Sequence, residues 1–378
     1  MTTPLPAGAS GRLTIDLSAL AANWRYLDEI SGQAKTAGLI KGDAYGMGIA
    51  HIAPVLREAG CRTFFVATVS EARRARAALG SEPVIYMLDG FLPGAAPAMR
   101  EAEIRPVLGS LPEIEDWAGV CQADGNRRPA AIHIDTGMNR LGLEVAEVEA
   151  LAARPELLAS FTPKLCMSHF ACADEPAHPL NVRQEAAFAH LRALLPDMPA
   201  SLANSPATLT RPDSYFDLVR PGVACYGGRA VNNRPNPMRP VVTLDVPVLQ
   251  VRNVTKGDTV GYGAGHTATR DSRVAILSAG YADGLIRTGS ARDDHPGANV
   301  LIAGHEAPAF GRVSMDLMAV DVTNLPAESV SRGTVATVFG AGLDVDTYAD
   351  AADTIGYEML TNLGRRFERV YVGANTQD

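Results

Sequence analysis

Between residues 38 and 225 the chain repeats one pattern about eight times: a short apolar run, then a stretch with apolar residues at helical spacing. The runs are Gly38–Ile40, Phe64–Ala67, Val84–Met87, Pro106–Leu108, Ala131–Ile134, Lys164–Met167, Ser201–Ala203 and Phe216–Val219. Each is too short for a helix and reads as a strand. The stretches between them include Glu71–Leu79, closed by Gly80, and Val182–Leu195, with Phe188, Leu191 and Leu195 on one face. Strands that alternate with helices pair in parallel, because each helix carries the chain back across the sheet. Eight such units predict an α/β fold, a closed (β/α)8 barrel, with an open doubly wound sheet as the alternative. Ahead of the first unit, Leu20, Trp24 and Leu27 follow a helical period, with Ser18 as the expected cap and Gly32 as the stop.

The texture changes at Arg229–Pro240, where Asn232-Asn233-Arg234-Pro235-Asn236-Pro237 reads as a linker. Beyond it lie β-like runs at Val241–Val251, Val274–Leu277, Val300–Ile302, Ala319–Val322 and Thr334–Phe339, separated by turn formers. Two domains are expected: the barrel over residues 12–235 and a β-rich domain over 236–378.

A net charge of −8 offers no basic surface to nucleic acid or to an anionic membrane, and neither is an expected partner. The five cysteines are odd in number and have no Cys-x-x-Cys pair, so free thiols in a reducing compartment are expected. Met1–Ser10 lacks the charged and apolar regions of a leader, and no apolar run would span a membrane. The expectation is a cytoplasmic protein.

Barrel active sites lie where strands end. The reactive residues at those ends are Lys41; His133 with Arg140; His169; Asn204 with Ser205; and Arg220 with Gly222. A lysine at the end of an apolar strand is partly desolvated, which lowers its pKa and suits it to Schiff-base formation. Asn204-Ser205-Pro206 can open a helix, and Arg220-Pro221-Gly222-Val223 offers a turn with amides at Gly222 and Val223; both suit phosphate, and both also fit ordinary loops. A metal-dependent barrel hydrolase needs His-x-His after the first strand. None stands there, and no metal is expected.

The segments Lys41-Gly42-Asp43-Ala44-Tyr45-Gly46, Asp135-Thr136-Gly137-Met138-Asn139-Arg140-Leu141-Gly142 and Ser168-His169-Phe170 occur in that order. They are followed by Ala203-Asn204-Ser205, Arg220-Pro221-Gly222-Val223, Gly280-Tyr281-Ala282-Asp283-Gly284, Gly311-Arg312-Val313-Ser314-Met315-Asp316 and Gly356-Tyr357-Glu358. In these segments, which cover nearly the whole chain, the sequence resembles the alanine racemases, pyridoxal-phosphate enzymes of the third fold type. The resemblance implies a homodimer with shared active sites that interconverts L- and D-alanine. It implies that Lys41 holds the cofactor and serves as one base, and that Tyr281, from the partner copy's second domain, is the other. Tyr45, Ser205, Gly222, Val223 and Tyr357 would hold the phosphate, with Asn204 beside them. Arg220 would meet the pyridine nitrogen, His169 would support Arg220, and Arg140 would contact the phenolic oxygen and the substrate. Met315 would bind the substrate carboxylate through its backbone, and Arg312 would guard the entrance.

The chemistry is coherent, since racemisation takes a proton from one face of the α-carbon and returns one to the other, which calls for two bases. Lysine and tyrosine do this near neutrality only when neighbouring positive charge, and for the lysine burial as well, lowers their pKa values from about 10. A barrel decarboxylase with the same cofactor has no need of Tyr281, and a cofactor-carrier barrel lacks residues 241–378. One position departs from the family. Many relatives carry a carbamylated lysine where this chain has His133, and its negative charge orients the arginine matching Arg140. A histidine forms no stable carbamate, which leaves a hydrogen bond to neutral His133, a bound chloride, or backbone carbonyls to fix Arg140.

Overall fold

The computed structural model describes Leu5 and residues 8–373; most of Met1–Ser10, the segment expected to lack a leader, lies outside them. Contacts divide the chain into two units, one of Ala21–Cys225 with Ala230–Pro237, the other of the residues up to Leu20, Tyr226–Arg229 and Met238 onward.

The first unit is the expected barrel. Seven parallel strands pair in chain order: Gly38–Leu39, Thr63–Val66, Val84–Met87, Ile104–Leu108, Pro129–His133, Thr162–Met167 and Ala200–Ser201. The eighth, Leu218–Val219, pairs with Lys35–Thr36, which continues directly into Gly38–Leu39. Its other edge meets the seventh strand through Asp217 N–H to the Ala200 carbonyl at 3.0 Å and Arg220 N–H to that of Ala203 at 2.8 Å. The ring is closed. Consecutive Phe64, Phe65 and Val66 are all fully buried. Since neighbouring strand residues point to opposite faces, both faces are covered, which is why these strands read as continuous apolar runs. Each such side chain contributes about 1.5–3 kcal/mol.

Caps set the helix starts, and here the expectations need adjusting. The first helix, Leu17–Ile30, is capped by Asp16 and not Ser18: Asp16 Oδ1 accepts from the Ala19 amide at 2.9 Å and from the Ser18 hydroxyl at 2.6 Å. Carboxylate is the stronger acceptor, and the hydroxyl donates to it. The helix expected from Glu71 begins at Val69, because Thr68 and Glu71 form a reciprocal capping box. The helix expected over Val182–Leu195 runs Pro179–Arg192 and buries Asn181, Gln184, Phe188 and Leu191 in one line.

In the second unit the strands are Val242–Val254, Ser272–Leu277, Asn299–Ile302, His305–Pro308, Met318–Asp321, Val335–Phe339 and Glu368–Val372. Residues 229–240 hold no helix or strand. The strand Arg12–Asp16 falls within the range expected for the barrel, yet its hydrogen bonds go elsewhere. It pairs antiparallel with Val242–Asp245 and parallel with Glu368–Val372. Buried Asp245 is fully satisfied there by Arg12 at 3.0 Å and the Thr337 hydroxyl at 2.7 Å. Among the described residues no helix is long and apolar enough to cross a membrane.

Candidate active site

The strand ends of the barrel carry the expected residues on one rim. Lys41 follows Gly38–Leu39, His133 ends Pro129–His133, His169 stands two residues past Thr162–Met167, and Arg220 follows Leu218–Val219 directly. Arg220 is 2% exposed, so its guanidinium needs every donor used. It donates to the Ser201 hydroxyl, to the Ser168 carbonyl at 2.5 Å and to His169 Nδ1 at 3.3 Å, and lies 5.9 Å over the Phe65 ring. A guanidinium only donates, so Nδ1 must accept and the His169 proton sits on Nε2. Burial, then the charges of Arg220 and Arg140, hold that imidazole well below its usual pKa, so it is neutral. Burial lowers Arg220 to about 9, which leaves it charged at neutral pH.

Sequence reasoning missed the residue that holds His169 in place. Gln184, fully buried, donates to the His169 carbonyl at 2.9 Å and to Thr136 Oγ1 at 3.2 Å, and accepts from the Ala171 amide at 2.9 Å. Its signal was a polar side chain four residues before Phe188, on the apolar face.

Lys41 opens a turn of unusual hand. Gly42, Asp43, Ala44 and Tyr45 have φ of 63°, 52°, 56° and 53°, one turn of left-handed helix over Lys41–Tyr45. Each of its three non-glycine residues costs about 1–2 kcal/mol in that conformation. Burial first, and then Arg140, lower the Lys41 pKa. Burial also raises the carboxyl of nearby Asp89.

The turn delivers the Tyr45 hydroxyl to Gly222, where a β-carbon would lie only 2.1 Å from that oxygen; no other residue fits. The buried Ser205 hydroxyl accepts from the Gly222 amide at 2.7 Å and the Ala224 amide at 3.3 Å. Asn204 caps the helix Ser205–Thr210 through the Ala207 amide at 3.3 Å and pairs with Arg220 in an isolated bridge. Val223 is fully buried, and Tyr357, of the second unit, is half-buried.

Arg140 rides on a loop whose base is tied by Asp135 Oδ1, which accepts from the Gly137 and Met138 amides at 2.9 Å each. The side chain is exposed, and among the described residues it makes no hydrogen bond to His133. Of the three alternatives for fixing Arg140, the hydrogen bond to neutral His133 is therefore the one this structure does not hold. Burial, then Arg220 and Arg140, lower the His133 imidazole from 6.5 to about 4. With the folded value below the unfolded one, the unfolded chain takes up the extra proton first. The stability present above pH 6.5 is therefore lost as pH falls toward 4. From pH 7.5 to 5, wild type should lose about 2 kcal/mol more than His133→Asn, read from urea midpoints. Equal losses would rule out a buried neutral His133 as the source.

In the second unit, Tyr281–Asp283 forms a single 3-10 turn. Buried Asp283 accepts from the Gly280 amide at 2.9 Å and from Arg366 at 2.7 and 2.8 Å, and Arg366 also reaches Asp316 at 2.6 Å. One arginine thus fastens the Tyr281 turn and the Met315 segment. The Met315 carbonyl accepts from the Ala282 amide at 2.9 Å, which leaves its N–H as the group of the right polarity for a carboxylate.

A cavity of 670 Å³ opens beside this segment, lined by Tyr262, Arg312, Ser314, Leu317, Arg252 and Asp258 among others. Tyr281 is not among the lining residues. Tyr262 stands between Gly261 and Gly263, at φ of 81° and 74°, and is 72% exposed. A β-carbon on Gly263 would come within 2.6 Å of Arg312 Nη1, so the glycine lets the arginine lie against this loop. The flanking glycines are the sequence signal that marks Tyr262.

The rim can bind a dianion: Lys41, Arg140 and Arg220 supply positive charge, both histidines are neutral, and a glycine-only cradle lies under a tyrosine hydroxyl. A half-buried lysine of lowered pKa beside that cradle suits a carbonyl cofactor that carries a phosphate.

Comparison with known proteins agrees. The families described as "Alanine racemase, N-terminal domain" and "Alanine racemase, C-terminal domain" match residues 15–230 and 241–371. An alanine racemase of Methylobacterium sp. (strain 4-46) is 52% identical, covering 98% of this chain and 100% of its own. One of Rhizobium meliloti (strain 1021) is 46% identical, covering 99% of this chain and 100% of its own. The crystal structure of alanine racemase from Bartonella henselae, with covalently bound pyridoxal phosphate, superposes with a TM-score of 0.91 at 38% identity, covering 96% of this chain and 100% of that one.

Proposed function

The chain belongs to the alanine racemase family, and from that premise we propose how its own residues perform the reaction. It interconverts L- and D-alanine with pyridoxal phosphate, as an enzyme of the cytosol. The observation that carries this reading is the meeting of a desolvated Lys41 with the Tyr45–Gly222 cradle on one barrel rim.

When bound, the cofactor supplies an electron sink that acidifies the substrate α-carbon. Lys41 would anchor it and would take or return a proton at Nζ, an exchange that its burial favours by lowering its pKa. Tyr45, Ser205, Gly222, Val223 and Tyr357 hold the phosphate, with Asn204 fixing the Ser205 helix. Arg220 faces the ring nitrogen with a proton it does not give up, and His169 backs it. Arg140 turns its charge to the phenolic oxygen and the substrate, and the Met315 N–H takes the substrate carboxylate.

The opposing base is a tyrosine of the second unit. The resemblance points to Tyr281. The cavity favours Tyr262, whose exposed phenol lines it beside Arg312, over Tyr281. Lys41 and either tyrosine belong to different units, and we propose a homodimer in which two copies share each site. Exposed Tyr262, Met315 and Leu317, apolar and close in sequence to the cavity, suit such a surface.

The purified chain, loaded with pyridoxal phosphate, should convert either alanine enantiomer to the racemate on a chiral column. In D2O, deuterium should enter only the α-position. Turnover without α-exchange would remove proton transfer from the reading.

A further inference from the structure

The left-handed turn after Lys41 holds three non-glycine residues, and backbone bonds run along it from the Ala44 amide to the Ile40 carbonyl at 2.9 Å and from the Gly46 amide to that of Gly42 at 2.7 Å. Side chains of one helix, Val69–Leu79, fasten it further from outside. The Asp43 amide donates to Glu71 Oε1 at 3.0 Å, while Glu71 Oε2 accepts from the Ala67 amide at 2.9 Å, at the end of the neighbouring strand. Asp43 Oδ1 in turn accepts from the Ile49 amide at 3.0 Å and from Arg74 at 2.7 Å. Glu71 and Arg74, three apart on the helix, share a face, and both converge on Asp43, two residues from Lys41 and two from Tyr45. Capping its own helix needs only the bonds between Glu71 and Thr68. The bond to Asp43 is additional, and Glu71 is only 8% exposed, which makes it a strong, charge-assisted one.

We propose that Glu71, seconded by Arg74, is a positioning residue that holds the left-handed turn and so sets Lys41 and Tyr45 for the cofactor. The inference rests on Lys41 being the cofactor-bearing lysine.

In Glu71→Gln, an amide NH2 faces either the Asp43 or the Ala67 N–H and cannot accept from it. The dissociation constant of pyridoxal phosphate, from titration of apoenzyme followed by visible absorbance well below the melting temperature, should rise about tenfold. Glycine takes the left-handed region freely, so adding Ala44→Gly to that variant should recover most of the loss. Arg74→Met, at a half-exposed position, folds whatever becomes of Glu71→Gln, and should weaken cofactor binding about threefold, again reversed by Ala44→Gly. An unchanged constant alongside a lower melting temperature would reduce Glu71 to a helix cap and overturn the proposal. So would a loss that Ala44→Gly does not reverse, accompanied by a shifted pH midpoint of the visible band, which would assign Glu71 a charge effect on Lys41. Borohydride reduction and peptide mapping of the wild-type holoenzyme checks the underlying reading separately: label on Lys41 upholds it, and label elsewhere overturns that reading whatever the variants do.

Discussion

Lys41→Ala should abolish the visible absorbance band of the bound cofactor and lower racemisation in both directions by about 10⁴-fold or more, since anchor and base are lost together. The chain has only four lysines, at positions 35, 41, 164 and 256. Lys35 and Lys164 are exposed, the first at the opening of a barrel strand and the second within one. Lys41 alone stands at the rim with its charge partly desolvated and its pKa lowered. Added methylamine should restore part of the activity by supplying an external base, without restoring the covalent anchor. Borohydride trapping of the cofactor on Lys35 or Lys164 in the wild-type enzyme would refute the assignment.

The second large effect separates the two tyrosines and tests the shared site together. Lys41→Ala and Tyr262→Ala should each be inactive alone. Mixed and allowed to exchange subunits, they should regain about a quarter of wild-type activity, because half the dimers are mixed and half the sites in each are intact. Tyr281→Ala in place of Tyr262→Ala should retain activity by itself, its ring being outside the cavity lining. If Tyr281→Phe lost the 10²–10⁴-fold typical of a missing acid–base group while Tyr262→Phe did not, Tyr281 would be the base after all. If heterodimers formed and no activity returned, each site would belong to a single chain.

Much of this molecule was written locally. The eight barrel strands showed as apolar runs because parallel strands covered on both faces need apolar residues at every position, as at Phe64–Val66. The rim chemistry was legible for the same local reason: a residue just past an apolar run must emerge at the strand end, as Lys41, His169 and Arg220 do. Even what was missed in helices had a nearby signal, such as Thr68 three residues before Glu71, or Gln184 on the line of Phe188. What the chain could not show alone depends on groups brought together from far along it. Arg12–Asp16 alternates buried and half-exposed residues like many strands. Only pairing with Glu368–Val372, more than 350 residues away, assigns it to the β-rich unit. The same holds for Asp43 meeting Glu71, for Tyr45 closing over Gly222, and for Arg366 joining Asp283 to Asp316. Local sequence sets conformational preference and burial pattern. The partner of a buried charge, and the price a strained turn is made to bear, are decided only when distant segments close around them.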